Sequence, residues 1–218
     1  GMNKIGCHMR KIFPVICLLL LVSAASAQEV LIPSGINQTL INNESVAVKN
    51  SRAILTMPFF EDFSSTFVYP DAGKFSDSTA FINTGNAYAP LTMGVATLDG
   101  LDAYGYLYEH GSSFAFPADT LTSQVIRLDS VFTGTPHATT VTDSLYFSFY
   151  YQPQGMGEKP DAEDSLLLEF YAANQNEWIE IWSASGSSMT DFIAENGSPW
   201  KCVMLPITDT AYMTDGFM

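Results

Sequence analysis

The sequence predicts an all-β fold in which short antiparallel strands form a sandwich or a barrel. Runs rich in β-branched and aromatic residues recur along the chain, and clusters of Gly, Pro, Asn and Asp separate them, as in strands joined by turns. No window carries an apolar stripe of helical period longer than two turns, and strands do not alternate with helices of about 10–15 residues. These observations disfavour an α/β fold.

The first element in the chain is a predicted secretory signal peptide over residues 1–27. After Gly1, which resembles an expression scar, basic residues precede an apolar run from Ile12 to Val22, and Ala25-Ser26-Ala27 then offers a small-residue cleavage site. The run is shorter than the roughly 20 apolar residues of a membrane span. We therefore expect cleavage after residue 27, export to the periplasm, the cell surface or the medium, and no transmembrane segment in the mature chain. A lipid anchor at Cys17 is disfavoured, because no small residue precedes it.

The amino-acid composition limits which classes of partner the protein can bind. The chain has 9 Lys and Arg against 23 Asp and Glu, a net charge of −14, and nucleic-acid binding is driven by basic residues, so we predict no nucleic-acid partner. Hydrophobic residues make up 47% and charged residues 15%, which indicates a folded body.

Only one cysteine, Cys202, lies beyond the signal peptide, so the mature chain has no internal disulfide. Its apolar neighbours favour a buried thiol over a reactive one.

The remaining chain divides into a lead-in and one domain. Residues 28–53 are polar, and we expect a loose lead-in or a first edge strand there; residues 54–218 form the predicted β-sandwich domain. The clearest strand is Leu145–Tyr151, where alternate residues share a bulky apolar face. The predicted strands, in order, are Ile54–Phe60, Ala80–Asn83, Val95–Leu98, Tyr104–Tyr108, Gln124–Leu128, Leu145–Tyr151, Leu166–Ala172, Trp178–Trp182 and Lys201–Leu205.

Six stretches of this domain follow one another in a characteristic order. They are Met57–Ser64, Phe81–Asn83, Gly94–Asp102, Asp119–Ser123 with Ile126–Leu128, Asp143–Gly157 and Trp178–Gly186. Together they resemble the N-terminal jelly-roll region of secreted Bacteroidota proteins associated with type IX secretion, which is similar to cleaved-adhesin and MAM-like β-sandwich domains. The resemblance implies an antiparallel jelly-roll β-sandwich with a concanavalin- or galactose-binding-like layout. Because that family continues into further strands, it also implies a sandwich that is incomplete at its C-terminus.

The resemblance also implies a calcium site. Cleaved-adhesin-like sandwiches often hold Ca²⁺ near the first strand and near the strand opened by an Asp-x-Leu-x-Ser element, which here implies Glu61, Asp62 and Asp119 as ligands. Oxygen ligands gathered from loops are what this hard cation requires. The alternative is that these carboxylates only cap or solvate turns.

Two tryptophans suggest a carbohydrate-binding surface. Trp178 and Trp182 alternate with isoleucines, so we expect both indoles on the same side of one strand. If exposed, they form a flat platform on which sugars stack; if buried, they belong to the core. Glu177 and Glu180 are expected on opposite faces, which disfavours the converging carboxylate pair of a glycosidase.

No pattern in the chain predicts a hydrolase. His110 and His137 are the histidines beyond the signal peptide, and both lie in predicted loops. The sequence has no Gly-x-Ser-x-Gly elbow, no zinc-binding His-Glu-x-x-His, no phosphate loop and no Cys-x-x-Cys. We therefore predict that the chain is not an enzyme.

A hydroxyl residue follows Asp at six strand starts. This is the acceptor pattern for O-glycosylation in secreted Bacteroidota proteins, although an Asp that opens a turn produces the same pattern. The candidate acceptors are Ser78, Thr120, Ser130, Ser144, Ser165 and Thr210. N-glycosylation sequons occur at Asn37, Asn43 and Asn196, and they matter only in a eukaryotic source.

These observations favour a secreted or cell-surface module without catalytic activity that serves in binding, adhesion or structure. Its expected partner is a glycan or another surface protein, and Ca²⁺ is the expected stabilising ion. Two alternatives remain open. The domain is accessory to a glycoside hydrolase or is itself a divergent sandwich-fold glycosidase, or the chain is the N-terminal fragment of a larger secreted protein.

Overall fold

The computed structural model describes residues 36–41, 53–108 and 116–218, which lie within one compact unit, Gly35–Met218. The predicted signal peptide, most of the lead-in, His110 and Asn43 fall outside the described residues. Across the described ranges, no helix is both long enough and apolar enough to cross a bilayer.

The described chain is mostly β-structure, which agrees with the predicted all-β class at this coarse level. Its strands are β1 (Ile54–Thr56), β2 (Phe81–Asn83), β3 (Val95–Thr97), β4 (Val125–Arg127), β5 (Ser130–Val131), β6 (His137–Ala138), β7 (Tyr146–Tyr151), β8 (Ser165–Ala172), β9 (Glu177–Ser185) and β10 (Lys201–Pro206). Its helices are α1 (Gln38–Ile41) and α2 (Met189–Asn196), with short 3₁₀ turns at Val141–Asp143 and Thr210–Tyr212.

The strands pair two by two. Within the described ranges the antiparallel pairs are β2 with β3, β5 with β6, β7 with β10, and β8 with β9. β1 and β4 pair in parallel, so the prediction of purely antiparallel pairing is wrong for these two strands. The larger pairs, β7–β10 and β8–β9, build the C-terminal half of the unit.

Eight of the nine predicted strands have a counterpart, and the exception is Tyr104–Tyr108. There the chain makes only isolated bridges, from Tyr106 to Ile36 and from Leu107 to Leu101. Gly105 adopts a φ of +83° in the middle of the segment, which interrupts an extended conformation. A side chain at Gly105 would also clash with the backbone carbonyl of Asn37, earlier in the same chain.

The main core lies between the inner faces of β7 and β8. Phe170 on β8 is 2% exposed and contacts three aromatic rings edge to face, those of Phe147 at 5.5 Å, Tyr212 at 5.3 Å and Phe217 at 4.9 Å between centroids. Ile126 on β4 belongs to the same cluster. Burying one such side chain contributes about 2–3 kcal/mol, so this cluster is the main anchor of the C-terminal strands.

The predicted alternation of inward and outward side chains along β7 is present. Tyr146 and Tyr150 are exposed, whereas Phe147 and Phe149 point inward and are half-buried. Cys202 on β10 pairs with Tyr150 and is exposed, so the prediction of a buried thiol is wrong. Apolar neighbours indicated burial, but nothing covers the outer face of this two-stranded sheet in the described structure.

Helix α2 is an element that the apolar pattern does not predict. Ser188 caps it by accepting a hydrogen bond from the Asp191 amide at 3.1 Å, and Gly197 ends it with a φ of +70°. Both residues are ordinary cap signals that the sequence contains. Phe192 is the buried residue of the helix and packs on Tyr151, with ring centroids 5.4 Å apart.

Candidate binding site

The β8–β9 hairpin carries a one-residue irregularity that decides which side chains share a face. Leu168 pairs with Trp182, but the next residue, Glu169, pairs with Glu180. Ile181 is therefore an extra residue in β9, as in a β-bulge. The side chains on the two sides of Ile181 therefore do not follow one continuous alternation between the faces of β9.

The irregularity places the two predicted tryptophans on opposite faces. Trp178 pairs with Tyr171 on the outer face, where the ring centroids are 5.2 Å apart. Trp182 lies on the inner face and contacts Phe149 at 5.2 Å and Tyr151 at 5.0 Å. The expectation that both indoles face the same side is wrong, because simple alternation does not anticipate an extra residue.

The outer face of β8–β9 combines aromatic rings with carboxylates. Trp178 is 41% exposed, and the hydroxyl of Tyr171 donates a 2.7 Å hydrogen bond to Asn176 Oδ1 in the turn. Next to this aromatic pair, Glu169 and Glu180 lie directly opposite each other and are both exposed. We call these four residues, Tyr171, Trp178, Glu169 and Glu180, the aromatic–carboxylate face. Of these four residues, Trp178 alone is predicted from the sequence to bind a ligand, since the positions of the others on this face depend on the register of the hairpin.

Such a face has the chemistry of a carbohydrate-binding surface. Exposed aromatic rings offer flat apolar area, and adjacent carboxylates accept hydrogen bonds from hydroxyl groups. Glu177 pairs with Ala172 on the inner face, so it lies on the opposite face from Glu180, as expected.

Glu61, from the predicted calcium set, is already engaged by other groups. Its Oε2 lies 2.7 Å from Lys74 Nζ, and its Oε1 accepts a hydrogen bond from the Phe63 amide. Asp62 is exposed at the same turn and accepts hydrogen bonds from the Ser64 hydroxyl and amide, which lower the pKa of its carboxyl group.

Asp119, the third predicted ligand, belongs to a different set of contacts. It accepts 2.8 Å hydrogen bonds from the Tyr108 hydroxyl and the Gly100 amide. Burial raises the pKa of Asp119 and that of the neighbouring Asp99, and burial and the contact with Asp119 raise the pKa of Tyr108. In the part of the chain that the structure describes, no three acidic, histidine or cysteine side chains converge as a metal site. The calcium site stays a prediction.

The aspartates of the six Asp-Ser/Thr pairs all have local structural partners. Asp77, Asp119 and Asp129 accept hydrogen bonds from Thr122, Tyr108 and Arg127, respectively. Asp143, Asp164 and Asp209 accept them from Thr140, Asp161 and Ala211, respectively. The contacts of Asp143, Asp164 and Asp209 are with backbone amides two or three residues away, as at ordinary turns and caps. Of the candidate acceptors, Thr120, Ser144, Ser165 and Thr210 are exposed, whereas Ser78 and Ser130 are half-buried.

His137 lies in an exposed polar cluster. Its ring nitrogens lie 3.0 Å from the Thr135 carbonyl and 2.9 Å from Asp143 Oδ1. The Thr135 carbonyl and the Asp143 carboxylate raise the pKa of His137. No nucleophilic side chain is among these contacts.

Comparison with known proteins gives no match: no family model, no curated protein and no solved structure matches this chain. The resemblance to secreted Bacteroidota jelly-roll regions therefore stays a prediction. Among the side chains that the fold brings together in the described residues, the aromatic–carboxylate face is the clearest candidate set for binding.

Proposed function

We propose that this chain is an exported, non-catalytic module with a jelly-roll β-sandwich fold that binds glycans through the aromatic–carboxylate face. The signal-peptide pattern supports export. The packing of β7 and β8 through Phe147 and Phe170 supports a two-layered body. The acidic composition supports a partner other than nucleic acid.

The observation that carries the proposal is the contact between the exposed ring of Trp178 and the half-buried ring of Tyr171. Trp178 is 41% exposed on a sheet face, so its indole ring is accessible to a ligand. The hydrogen bond from Tyr171 to Asn176 holds the phenol ring in place. A fixed ring loses less conformational entropy on binding than a mobile one.

The flanking charges restrict the class of glycan. Glu169 and Glu180 are carboxylates on the same face, so they repel uronic or sialic acids and accept hydrogen bonds from neutral hydroxyls. The proposed ligand is therefore a neutral or amino-sugar glycan that presents an apolar ring face to Trp178.

The test is a binding titration of residues 28–218 with four polysaccharides: laminarin, xylan, mannan and soluble chitin oligosaccharides. We expect one of them to bind with a dissociation constant in the micromolar to millimolar range, and Trp178→Ala to weaken that binding at least tenfold. Tyr150→Ala is the matched control, because it removes an exposed aromatic ring from a different sheet face. It should bind like the wild type.

Binding that survives Trp178→Ala would contradict the proposed site. A wild-type chain that binds none of the four probes while polygalacturonate binds would contradict the charge argument. Circular dichroism of each variant verifies that lost binding does not reflect lost folding.

A glycosidase is the second candidate, and one observation favours it. Glu169 and Glu180 face each other across two strands, and a pair of carboxylates is what glycoside hydrolysis uses. Both side chains are exposed on an open sheet face, whereas the two carboxyl groups of a glycosidase flank the scissile bond from opposite sides. Release of reducing ends from a bound polysaccharide, abolished in Glu180→Gln, would establish the enzyme and overturn the non-catalytic proposal.

A further inference from the structure

The turn that follows β3 places the amide of an Asp–Gly pair against a second carboxylate. In the pair Asp99-Gly100, the Gly100 amide donates a 2.8 Å hydrogen bond to Asp119 Oδ2. The sequence has another such pair, Asp215-Gly216, but there the glycine amide donates to the Thr214 hydroxyl at 3.3 Å. A carboxylate takes up a proton readily and a neutral hydroxyl does not, so the two pairs differ in chemistry.

The carboxyl group of Asp99 is held by a donor at each oxygen. Its Oδ1 accepts a hydrogen bond from the Leu101 amide at 3.1 Å, and its Oδ2 accepts one from the Asn37 side-chain amide at 3.3 Å. The first bond reaches two residues ahead, so it folds the carboxyl group back along the peptide bond to Gly100. Both donors are placed to stabilise negative charge that develops on these oxygens. Asp99 is half-buried, which favours its neutral acid form.

We propose that Asp99 and Gly100 react with each other to close a succinimide ring, with Asp119 as the general base. The Gly100 nitrogen attacks Asp99 Cγ, so a new C–N bond forms while the amide proton passes to Asp119. The bond from Cγ to the Asp99 hydroxyl oxygen then breaks. Asp119 returns its proton to that oxygen, which leaves as water. The chain loses one water molecule, and the reaction needs no further reactant.

The backbone at Gly100 leaves room for ring closure. Closing the ring turns the peptide bond between Asp99 and Gly100, which a crowded residue would resist. Gly100 is exposed, and a β-carbon built on it would meet nothing within 4 Å. At Gly216 the same β-carbon would lie 2.9 Å from the β-carbon of Ala173. The fold therefore favours reaction at the first Asp–Gly pair and restrains the second.

The product differs from the original turn in charge and in stiffness. A succinimide is neutral, so it replaces an acidic group beside Asp119 in a chain whose net charge is −14. The ring also fixes the backbone of Asp99, which removes conformational freedom from the turn. When water reopens the ring at either carbonyl, the chain carries aspartate or isoaspartate. Isoaspartate is therefore a lasting record of the reaction.

The test follows both Asp–Gly pairs in the same protein. Residues 28–218, which contain the compact unit, are incubated at about pH 6 in EDTA, which keeps metal ions away from the carboxylates. Trypsin then gives one peptide of residues 75–127 and another of residues 202–218, each with one Asp–Gly pair. Mass spectrometry measures the loss of one water and the formation of isoaspartate. We expect both products to form at least about tenfold faster at Asp99 than at Asp215, because a positioned general base contributes about 10²–10⁴-fold.

Two variants separate the base from the other acids of the turn. Asp119→Asn keeps an oxygen that can accept the Gly100 hydrogen bond but removes the base, so it should slow the reaction at least about tenfold. Asp102→Asn is the matched control. It removes an acid of the same turn whose carboxylate accepts from the Tyr104 and Tyr106 amides instead, and it should react like the wild type. Circular dichroism verifies that each variant is folded.

Unfolding the wild type provides a comparison that needs no variant. An Asp–Gly pair that reacts without help from the fold does so fastest in a flexible, unfolded chain. If the folded turn catalyses the reaction, urea should slow it at Asp99 to the rate found at Asp215. A reaction at Asp99 that is as fast in urea as in the folded chain would overturn the proposal. An unchanged rate in folded Asp119→Asn, or an equal loss in Asp102→Asn, would overturn the role of Asp119.

Discussion

Lys74 Nζ lies 2.7 Å from Glu61 Oε2 and donates a second bond to the Phe60 carbonyl. The Glu61 side chain is only 5% exposed, whereas that of Lys74 is 33% exposed. The carboxylate is thus nearly buried, and its counter-ion is a side chain that still reaches water. Removal of Lys74 would therefore leave a buried charge on Glu61, whereas removal of Glu61 would leave the charge of Lys74 in contact with water.

The first prediction follows from this asymmetry. Lys74→Met should lower the free energy of unfolding by about 2 kcal/mol, because it leaves a buried carboxylate unpaired. Glu61→Gln should cost less, since Lys74 can then turn to solvent. Urea unfolding of both variants measures the difference, and an equal or reversed order would contradict it.

The predicted calcium site has its own test, which uses the same lysine. If Glu61 and Asp62 bind Ca²⁺, Lys74 competes with the ion for Glu61, so Lys74→Met should bind Ca²⁺ more tightly than the wild type. A ligand that binds only the native state raises the melting midpoint. We therefore expect excess Ca²⁺ to raise the midpoint more in Lys74→Met than in the wild type, relative to EDTA. No rise in either protein would refute the site, and loss of the rise in Asp119→Asn would bring the third predicted ligand into it.

The two tryptophans of β9 should differ in their effect on stability. Trp182→Ala removes a ring that contacts Phe149 and Tyr151 on the inner face, and should cost about 3 kcal/mol. Trp178→Ala removes an exposed ring and should cost under about 1 kcal/mol. Denaturant unfolding of both variants decides the point. Equal losses would mean that the two indoles share one environment, as simple alternation predicts.

The same strand shows what the sequence can and cannot predict. Alternation of size and polarity is a local property, so it identified β7 and most other strands correctly. The extra residue at Ile181 depends on how β9 pairs with β8, which no local pattern encodes. Tyr171 meets Trp178 through that pairing. Cys202 is exposed because no other described element covers the outer face of its sheet. Helix α2 was missed although Ser188 and Gly197 mark its ends, because a stripe of two turns is too short to stand out.

The Asp-Ser/Thr pairs give a prediction about modification. A transferase reaches only exposed hydroxyls, so protein recovered from its natural export pathway should carry glycans at some of Thr120, Ser144, Ser165 and Thr210, the exposed acceptors. Ser78 and Ser130 are half-buried and should be unmodified. Peptide mass spectrometry locates the sites, with protein made in the cytoplasm of a host lacking the pathway as the control. Glycans at the half-buried positions alone would contradict the argument.

The contacts of His137 predict a defined pH dependence. Both of its ring nitrogens face acceptors, the Thr135 carbonyl and the Asp143 carboxylate, and only the doubly protonated imidazolium donates to both. These two acceptors raise the pKa of His137 above 6.5. The His137 side chain and the Thr140 amide and hydroxyl lower the pKa of Asp143 below 3.8.

The signs of these shifts fix the pH range in which the pair stabilises the fold. A raised histidine pKa gives stability that is fully present below 6.5 and is lost as the pH rises through the folded-state pKa. A lowered aspartate pKa gives stability that is present above 3.8 and is lost as the pH falls through the folded-state pKa. NMR titration of the His137 ring should therefore show a pKa above 6.5 that returns toward 6.5 in Asp143→Asn. The melting midpoint of His137→Gln, relative to the wild type, should rise between pH 6 and pH 9. A wild-type ring that titrates at or below 6.5 would show that these contacts do not hold the imidazolium in solution.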